Sequence, residues 1–259
     1  MSSKIVIANW KMNPQTLDEA RVLVSSWQHR ARSLSDRTTV AVAAPFVFLP
    51  ALSHYLKEVK LGAQNLSWAE QGALTGEISA DQLKEWKVEY VILGHSERRL
   101  YLGETDSVVN AKLIAALKNK LTPVLCLGGE TGAIKNEMQT LVTKQFIACT
   151  HNLDESDLAK IIYVYEPVWA ISTMKNSQAA TGEHAAEMVD HIYKLLEHRI
   201  GKKSQHIKVI YGGTVNQDNV GEYAQHPQIG GALVGAASLD VDNFWRVVEE
   251  FDRESVHRL

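Results

Sequence analysis

Eight short runs of β-branched and other apolar residues recur along the chain, and they constrain its fold more than any other feature. They are KIVIAN from Lys4, TVAVAA from Thr39, KLGAQN from Lys60, YVILGH from Tyr90, TPVLCLG from Thr122, IIYVYE from Ile161, KVIYGG from Lys208 and GALVG from Gly231. None alternates cleanly between apolar and polar residues. A near-continuous apolar run is how a strand buried on both faces of a parallel sheet reads, so helices must cover the outside. Between the runs lie amphipathic stretches such as 16–32, 107–119, 183–201 and 240–253, with apolar positions recurring at three and four, and the pattern predicts one helix after each strand. Eight such units in 259 residues average about 32 residues each, the size of a βα repeat in a closed barrel. The expected fold is therefore α/β, a single-domain (β/α)8 barrel over 1–259, with an open doubly wound sheet as the alternative. No low-complexity linker or shift of composition divides the chain.

Charge is nearly balanced: 27 Lys and Arg against 30 Asp and Glu leave a net −3, so no global field argues for nucleic acid or an anionic membrane surface. A small neutral or anionic partner fits better. Cys126 and Cys149 have no further Cys or His at metal-ligand spacing and read as reduced, buried thiols, with neither a disulfide nor a metal expected. The N-terminal apolar run meets Trp10 and Lys11 too early for a signal peptide, and no stretch approaches membrane-spanning length, so a cytoplasmic protein is expected.

One connection breaks the strand-helix rhythm. NLSWAEQGALTGE, from Asn65 to Glu77, has neither helical nor strand period, yet carries Leu66, Trp68 and Leu74. Long loops in compact domains are usually functional, and apolar residues on one cost solubility unless another surface covers them. The loop reads as a dimerisation element; local packing against its own chain is the alternative.

In such a barrel the chemistry gathers at the C-terminal ends of the strands, which puts weight on the residues that close each apolar run. These are Asn9-Trp10-Lys11, His95 followed by SERR, Glu166, Gly212-Gly213-Thr214 and Gly235-Ala236. An isolated Glu is usually a solvated surface carboxylate. Glu166 instead ends a buried strand and is followed by Pro167, Val168 and Trp169, which offer no neutralising charge. Desolvation there, by Trp169 on closure of a loop, would raise its pKa and suit it to take a proton next to a carbonyl. His95 alone reads as structural, but Ser96 and Glu97 after it can start a helical turn whose N–H groups favour a neutral ring that donates to a developing oxyanion. Gly94-His95-Ser96 also resembles part of a nucleophile elbow; Arg98 stands where its second glycine is needed, which excludes a serine hydrolase. Lys11, beside Asn9, supplies a fixed cation for a phosphate ester, unless it is an ordinary solvated lysine. The glycines near Thr214 and Gly235 are either tight turns or a phosphate cradle of backbone amides.

Together these residues resemble the triosephosphate isomerase family over essentially the full length. NWKMN from Asn9, GALTGEIS from Gly72, ILGHSERR from Ile92, GETD from Gly103, YEPVWAI from Tyr165, YGGTV from Tyr211 and GALVGAASL from Gly231 stand in the family's order and near its spacing. The resemblance implies interconversion of dihydroxyacetone phosphate and D-glyceraldehyde 3-phosphate through an enediolate, without metal or organic cofactor. It gives Glu166 the proton transfer, His95 the substrate oxygens, and Lys11 and Asn9 the substrate's charge and oxygens, with Glu97 orienting Lys11. The family is itself a familiar instance of a glutamate base beside a neutral histidine and of a closing loop. Here the loop would begin with the hinge Pro167-Val168-Trp169. The resemblance further implies a homodimer in which Thr75 reaches toward Asn9 and His95 of the partner subunit, while Gln64 holds the base of its loop.

Three departures from the family pattern touch the phosphate grip. The lid reads Ala170-Ile171-Ser172-Thr173-Met174-Lys175, where two glycines are usual, and its second hinge is longer. The Ser172 amide still suits phosphate, whereas Met174 narrows the backbone conformations open to the lid. Ala236 replaces a glycine after Gly235. Leu127-Gly128-Gly129-Glu130 either inserts a glycine or moves the acid relative to the family's Cys-x-Gly-Glu, and Glu130 takes no role. An isomerase of the same fold acting on a tetrulose phosphate, or a non-catalytic sugar-phosphate-binding homologue, are the rival readings.

Overall fold

A computed structural model describes residues 3–129, 137–170 and 179–256. All eight apolar runs form strands: β1 Lys4–Asn9, β2 Thr38–Ala44, β3 Lys60–Ala63, β4 Tyr90–Leu93, β5 Thr122–Leu127, β6 Ile162–Tyr165, β7 Val209–Tyr211 and β8 Gly231–Val234. Each pairs in parallel with the next, and β8 returns to β1 from Ile5↔Gly231 to Ala8↔Val234, closing the barrel. Closure excludes the doubly wound alternative.

The helices are α1 Leu17–Arg30, α2 Leu49–Tyr55, α3 Ala80–Glu85, α4 Ser96–Leu102, α5 Asp106–Lys118, α6 Met138–Cys149, α7 Glu155–Leu158, α8 Gly182–Ile200, α9 Val220–Ala224 and α10 Val241–Val256. Thr16, Thr105 and Thr181 cap α1, α5 and α8 with their hydroxyls, which accounts for where those helices start. The expectation of one helix per strand is corrected at two places: α4 and α5 both follow β4, and α6 and α7 both follow β5. The break between α4 and α5 is local. Gly103 takes a left-handed conformation that ends the first helix, and Thr105 caps the second two residues later.

The strands' double burial has a direct geometric origin. Ile5, Ile7, Ala41, Ala43, Val124, Cys126, Ile162, Val164, Ile210 and Leu233 pack together inside the barrel. Val6, Ala8, Val40, Val42, Leu125 and Tyr163, one position along, pack under the helices. Both sets must be apolar, which removes the alternation expected of a half-exposed strand.

Outside the barrel a buried ionic cluster fastens the end of α4 to α5. Glu104 is bonded by Lys112 and by Arg98 at 3.1 Å, and Lys112 also donates to Asn65 at 2.8 Å. Burial pushes the Glu104 carboxyl up, but two cations on one carboxylate outweigh it and hold its pKa below the ordinary value. Burial lowers the Lys112 ammonium, helped by the neighbouring Arg98 charge and opposed by Glu104.

Residues 65–77 form neither helix nor strand. Leu66 is fully buried and belongs to the core, a correction to its reading as an uncovered apolar residue, whereas Trp68 and Leu74 are exposed, at 48% and 37%. Gln64 donates to the Ala43 carbonyl at 2.9 Å, tying the loop's base to β2. Thr75 is exposed. Both cysteines are free and buried.

Candidate active site

Extending the inward register of the strands by one step beyond their apolar residues assembles most of the site. Ile5 and Ile7 lead to Asn9, Ile162 and Val164 to Glu166, Ile210 to Gly212, and Leu233 to Gly235. All four positions line one cavity of about 340 Å³ at the C-terminal mouth, joined by Lys11, His95, Gly213, Thr214 and Ala236. Every predicted site residue on the barrel mouth except Glu97 is thus in one cavity, and Glu97 touches it through Lys11. Ser172 and Met174, like Glu130 and most of the expected lid, lie outside the described residues.

Glu166 is 1% exposed with the chain's other residues alone around it. Its Oε2 accepts from the Ser96 N–H at 3.0 Å, and its Oε1 is 3.1 Å from Nε2 of His95. The polar partners missing from its sequence neighbourhood therefore come from α4, on another strand's loop. Gly212 gives its stem room: a Cβ there would lie 3.1 Å from Glu166 Cγ and 2.5 Å from Val164 Cγ1. Trp169, expected to desolvate the acid on closure of a loop, packs its ring against His184 at a centroid distance of 5.5 Å.

His95 is not on the inward register. Gly94 turns into the left-handed region at φ 69°, and the next residue becomes the N-cap of α4. There the ring itself caps the helix: Nδ1 accepts the Glu97 N–H at 3.2 Å. With Nδ1 engaged as an acceptor, the ring's proton resides on Nε2, which faces the cavity and Glu166. The helical turn expected from Ser96 and Glu97 thus sets the tautomer.

Lys11 lies two residues past the end of β1, in the left-handed region at φ 54°. A non-glycine residue there costs about 1–2 kcal/mol, a strain held in place by the surroundings. Its N–H bonds Asn9 Oδ1 at 3.1 Å, its Nζ meets Glu97 Oε1 at 2.5 Å, and Gly235 leaves space for the chain, since a Cβ there would touch Lys11 Cε at 3.4 Å. Asn9 thereby fixes the backbone of Lys11, and Glu97 its ammonium, at the cavity wall.

The side of the cavity formed by the ends of β7 and β8 is backbone-rich. Gly212-Gly213-Thr214 follows β7, and Gly235 precedes the short 3₁₀ turn Ala236–Leu239 after β8. Such turns present amides to an anion without a second cation. Among the described residues no group of three or more His, Cys, Asp or Glu has the arrangement of a metal site. Cys126, read from the sequence only as a buried thiol, is near Glu166: burial, then that carboxylate, push its pKa well above the ordinary thiol value.

Chemically, the cavity joins a carboxylate able to take a proton, an Nε2–H donor for oxygens, a fixed cation and an anion-binding backbone. The family model described as Triosephosphate isomerase matches residues 4–251. Curated relatives named Triosephosphate isomerase come from Dictyoglomus thermophilum, 38% identical over 96% of this chain and 100% of the relative, and from Caldanaerobacter subterraneus, 40% identical over 96% and 99%. One from Borreliella burgdorferi is 39% identical over 96% and 98%.

Proposed function

The chain belongs to the triosephosphate isomerase family, and from that premise we propose how it interconverts dihydroxyacetone phosphate and D-glyceraldehyde 3-phosphate. The sugar phosphate enters the mouth with its phosphate against the turns at Gly212-Gly213-Thr214 and Gly235-Ala236, and with its carbonyl facing His95. Substrate displaces the contact between Glu166 and His95. The freed Nε2–H donates to the carbonyl oxygen as negative charge develops there, and Glu166 removes the proton from the adjacent carbon, leaving an enediolate. His95 then passes a proton between the two oxygens while Glu166 returns its own to the neighbouring carbon. Lys11, held by Asn9 and Glu97, offsets the charge of phosphate and enediolate. Ser172 supplies a further amide to the phosphate. The observation that carries the reading is the convergence of Glu166, His95 Nε2 and Lys11 on one cavity.

We further propose one domain over 1–259, a cytoplasmic location, and a homodimer through 65–77. No described helix is long and apolar enough to cross a membrane. Exposed Trp68 and Leu74 support the dimer, because burying them on a partner removes apolar surface from water. In it Thr75 reaches the partner subunit's mouth.

The test is isomerisation of D-glyceraldehyde 3-phosphate by purified protein, with dihydroxyacetone phosphate consumed by a coupled dehydrogenase and with Glu166→Ala as control. Turnover lost in the control is expected. A folded protein without turnover would overturn the reading, and tetrulose phosphates, offered as substrates and competitors, would then decide between a different isomerase and a binding protein.

A further inference from the structure

Gln145 is 2% exposed, sits on α6 and takes no part in the chemistry above, yet both ends of its amide are committed to one turn. Its Oε1 accepts the Gly128 N–H at 2.7 Å, and its Nε2 donates to the Gly129 carbonyl at 3.4 Å. That turn leaves β5 immediately after Leu127, whose carbonyl accepts the Glu166 N–H at 2.7 Å. It is then wedged between the two partners of a single hydrogen bond. At Gly128, where φ is +107°, a Cβ would lie 2.6 Å from the Glu166 carbonyl oxygen. At Gly129 a Cβ would lie 2.6 Å from Ser96 Cβ and 2.7 Å from Ser96 Cα. Ser96 is the residue whose amide holds the Glu166 carboxylate, and it directly follows His95.

We propose that Gln145 is a positioning residue for proton transfer: by clamping the Gly128-Gly129 turn it fixes the gap between the end of β6, which carries Glu166, and the start of α4, which carries His95. The inference rests on the isomerase reading and deepens it. The turn acts as a spacer because it has no side chains of its own, and contact with backbone on both sides is stiffer than contact with flexible side-chain ends. A Cβ at Gly129 would collide with Ser96, which accounts for the glycine there. A buried glutamine meets the requirement because one side chain must both accept from and donate to adjacent peptide groups.

Gln145→Met keeps the length of the side chain and removes both bonds. The expected result is a folded protein whose kcat falls about 10- to 100-fold, with KM within about twofold, because the spacing of base and electrophile changes while the phosphate turns do not. Gln145→Glu retains the acceptor for Gly128 and is expected to keep more of kcat than the methionine variant. It also serves as the test should Gln145→Met fail to fold, with kcat expressed per folded molecule and compared with the wild type. A kcat within about twofold of wild type in every folded variant, or a rise in KM with kcat unchanged, would overturn the role, since a purely structural clamp lowers the melting temperature without moving kcat. A wild-type protein without turnover is a separate outcome that removes the isomerase reading itself and this role with it.

Discussion

Oε1 of Glu166 lies 3.1 Å from Nε2 of His95, so the base and the hydrogen-bond donor of the proposed mechanism face each other. Each satisfies the other's hydrogen-bonding capacity in a site where an unpaired polar group is costly. In the proposed mechanism substrate breaks this contact, while the Ser96 amide holds the other carboxylate oxygen. The arrangement gives an acid that is 1% exposed two hydrogen-bond partners, one for each oxygen.

Glu166→Gln preserves the shape of the side chain and abolishes its basicity. We expect kcat to fall by about 10²–10⁴-fold, the usual contribution of a positioned general base, with KM little changed. Steady-state assays in both directions check this, and equal loss in kcat and kcat/KM identifies a transition-state role.

Lys11→Met removes the cation while keeping most of the chain that packs beside Gly235. Loss of a charge-assisted hydrogen bond worth about 1.5–3 kcal/mol predicts a drop of about 10- to 100-fold in kcat/KM. Inhibition by inorganic phosphate should weaken in parallel, and a variant that binds phosphate as tightly as the wild type would place the ammonium elsewhere.

Glu104→Gln leaves Lys112 buried without a countercharge. Breaking such a pair from one side costs about 3–5 kcal/mol, which urea unfolding at neutral pH and fixed protein concentration should register. The sign with pH follows from the depressed pKa of Glu104 in the folded state. Its contribution is fully present above the unfolded carboxyl's pKa and is lost as pH falls through the lower folded value. The difference between wild type and variant should therefore shrink only below the ordinary carboxylate range.

The two thiols should be silent in the native protein. Burial raises Cys149 to about 12, even with Arg99 opposing it, and burial raises Cys126 well above the ordinary thiol value. Little thiolate exists at pH 8 in either, and neither is accessible. A disulfide reagent should titrate no thiol in the folded protein and two after denaturation. Rapid reaction of one thiol under native conditions would show that its surroundings open.

What the sequence determined by itself is what repeats locally. The eight apolar runs specify strands covered on both faces, and the period of two within each run carries Asn9, Glu166, Gly212 and Gly235 to the mouth once the barrel closes. Motif order carried the family and, by resemblance, the partners Glu97 and Gln64. What only the tertiary structure decided are contacts between distant loops, whose geometry leaves no trace in local periodicity. The left-handed turn at Gly94 re-aims His95, and its ring caps α4. The Ser96 amide holds a carboxylate 70 residues away. Gln145 reaches the turn that keeps Glu166 and Ser96 apart. Hydrogen bonds and close backbone contacts are short-ranged and directional, so their partners are specified only when folding brings the strand ends together.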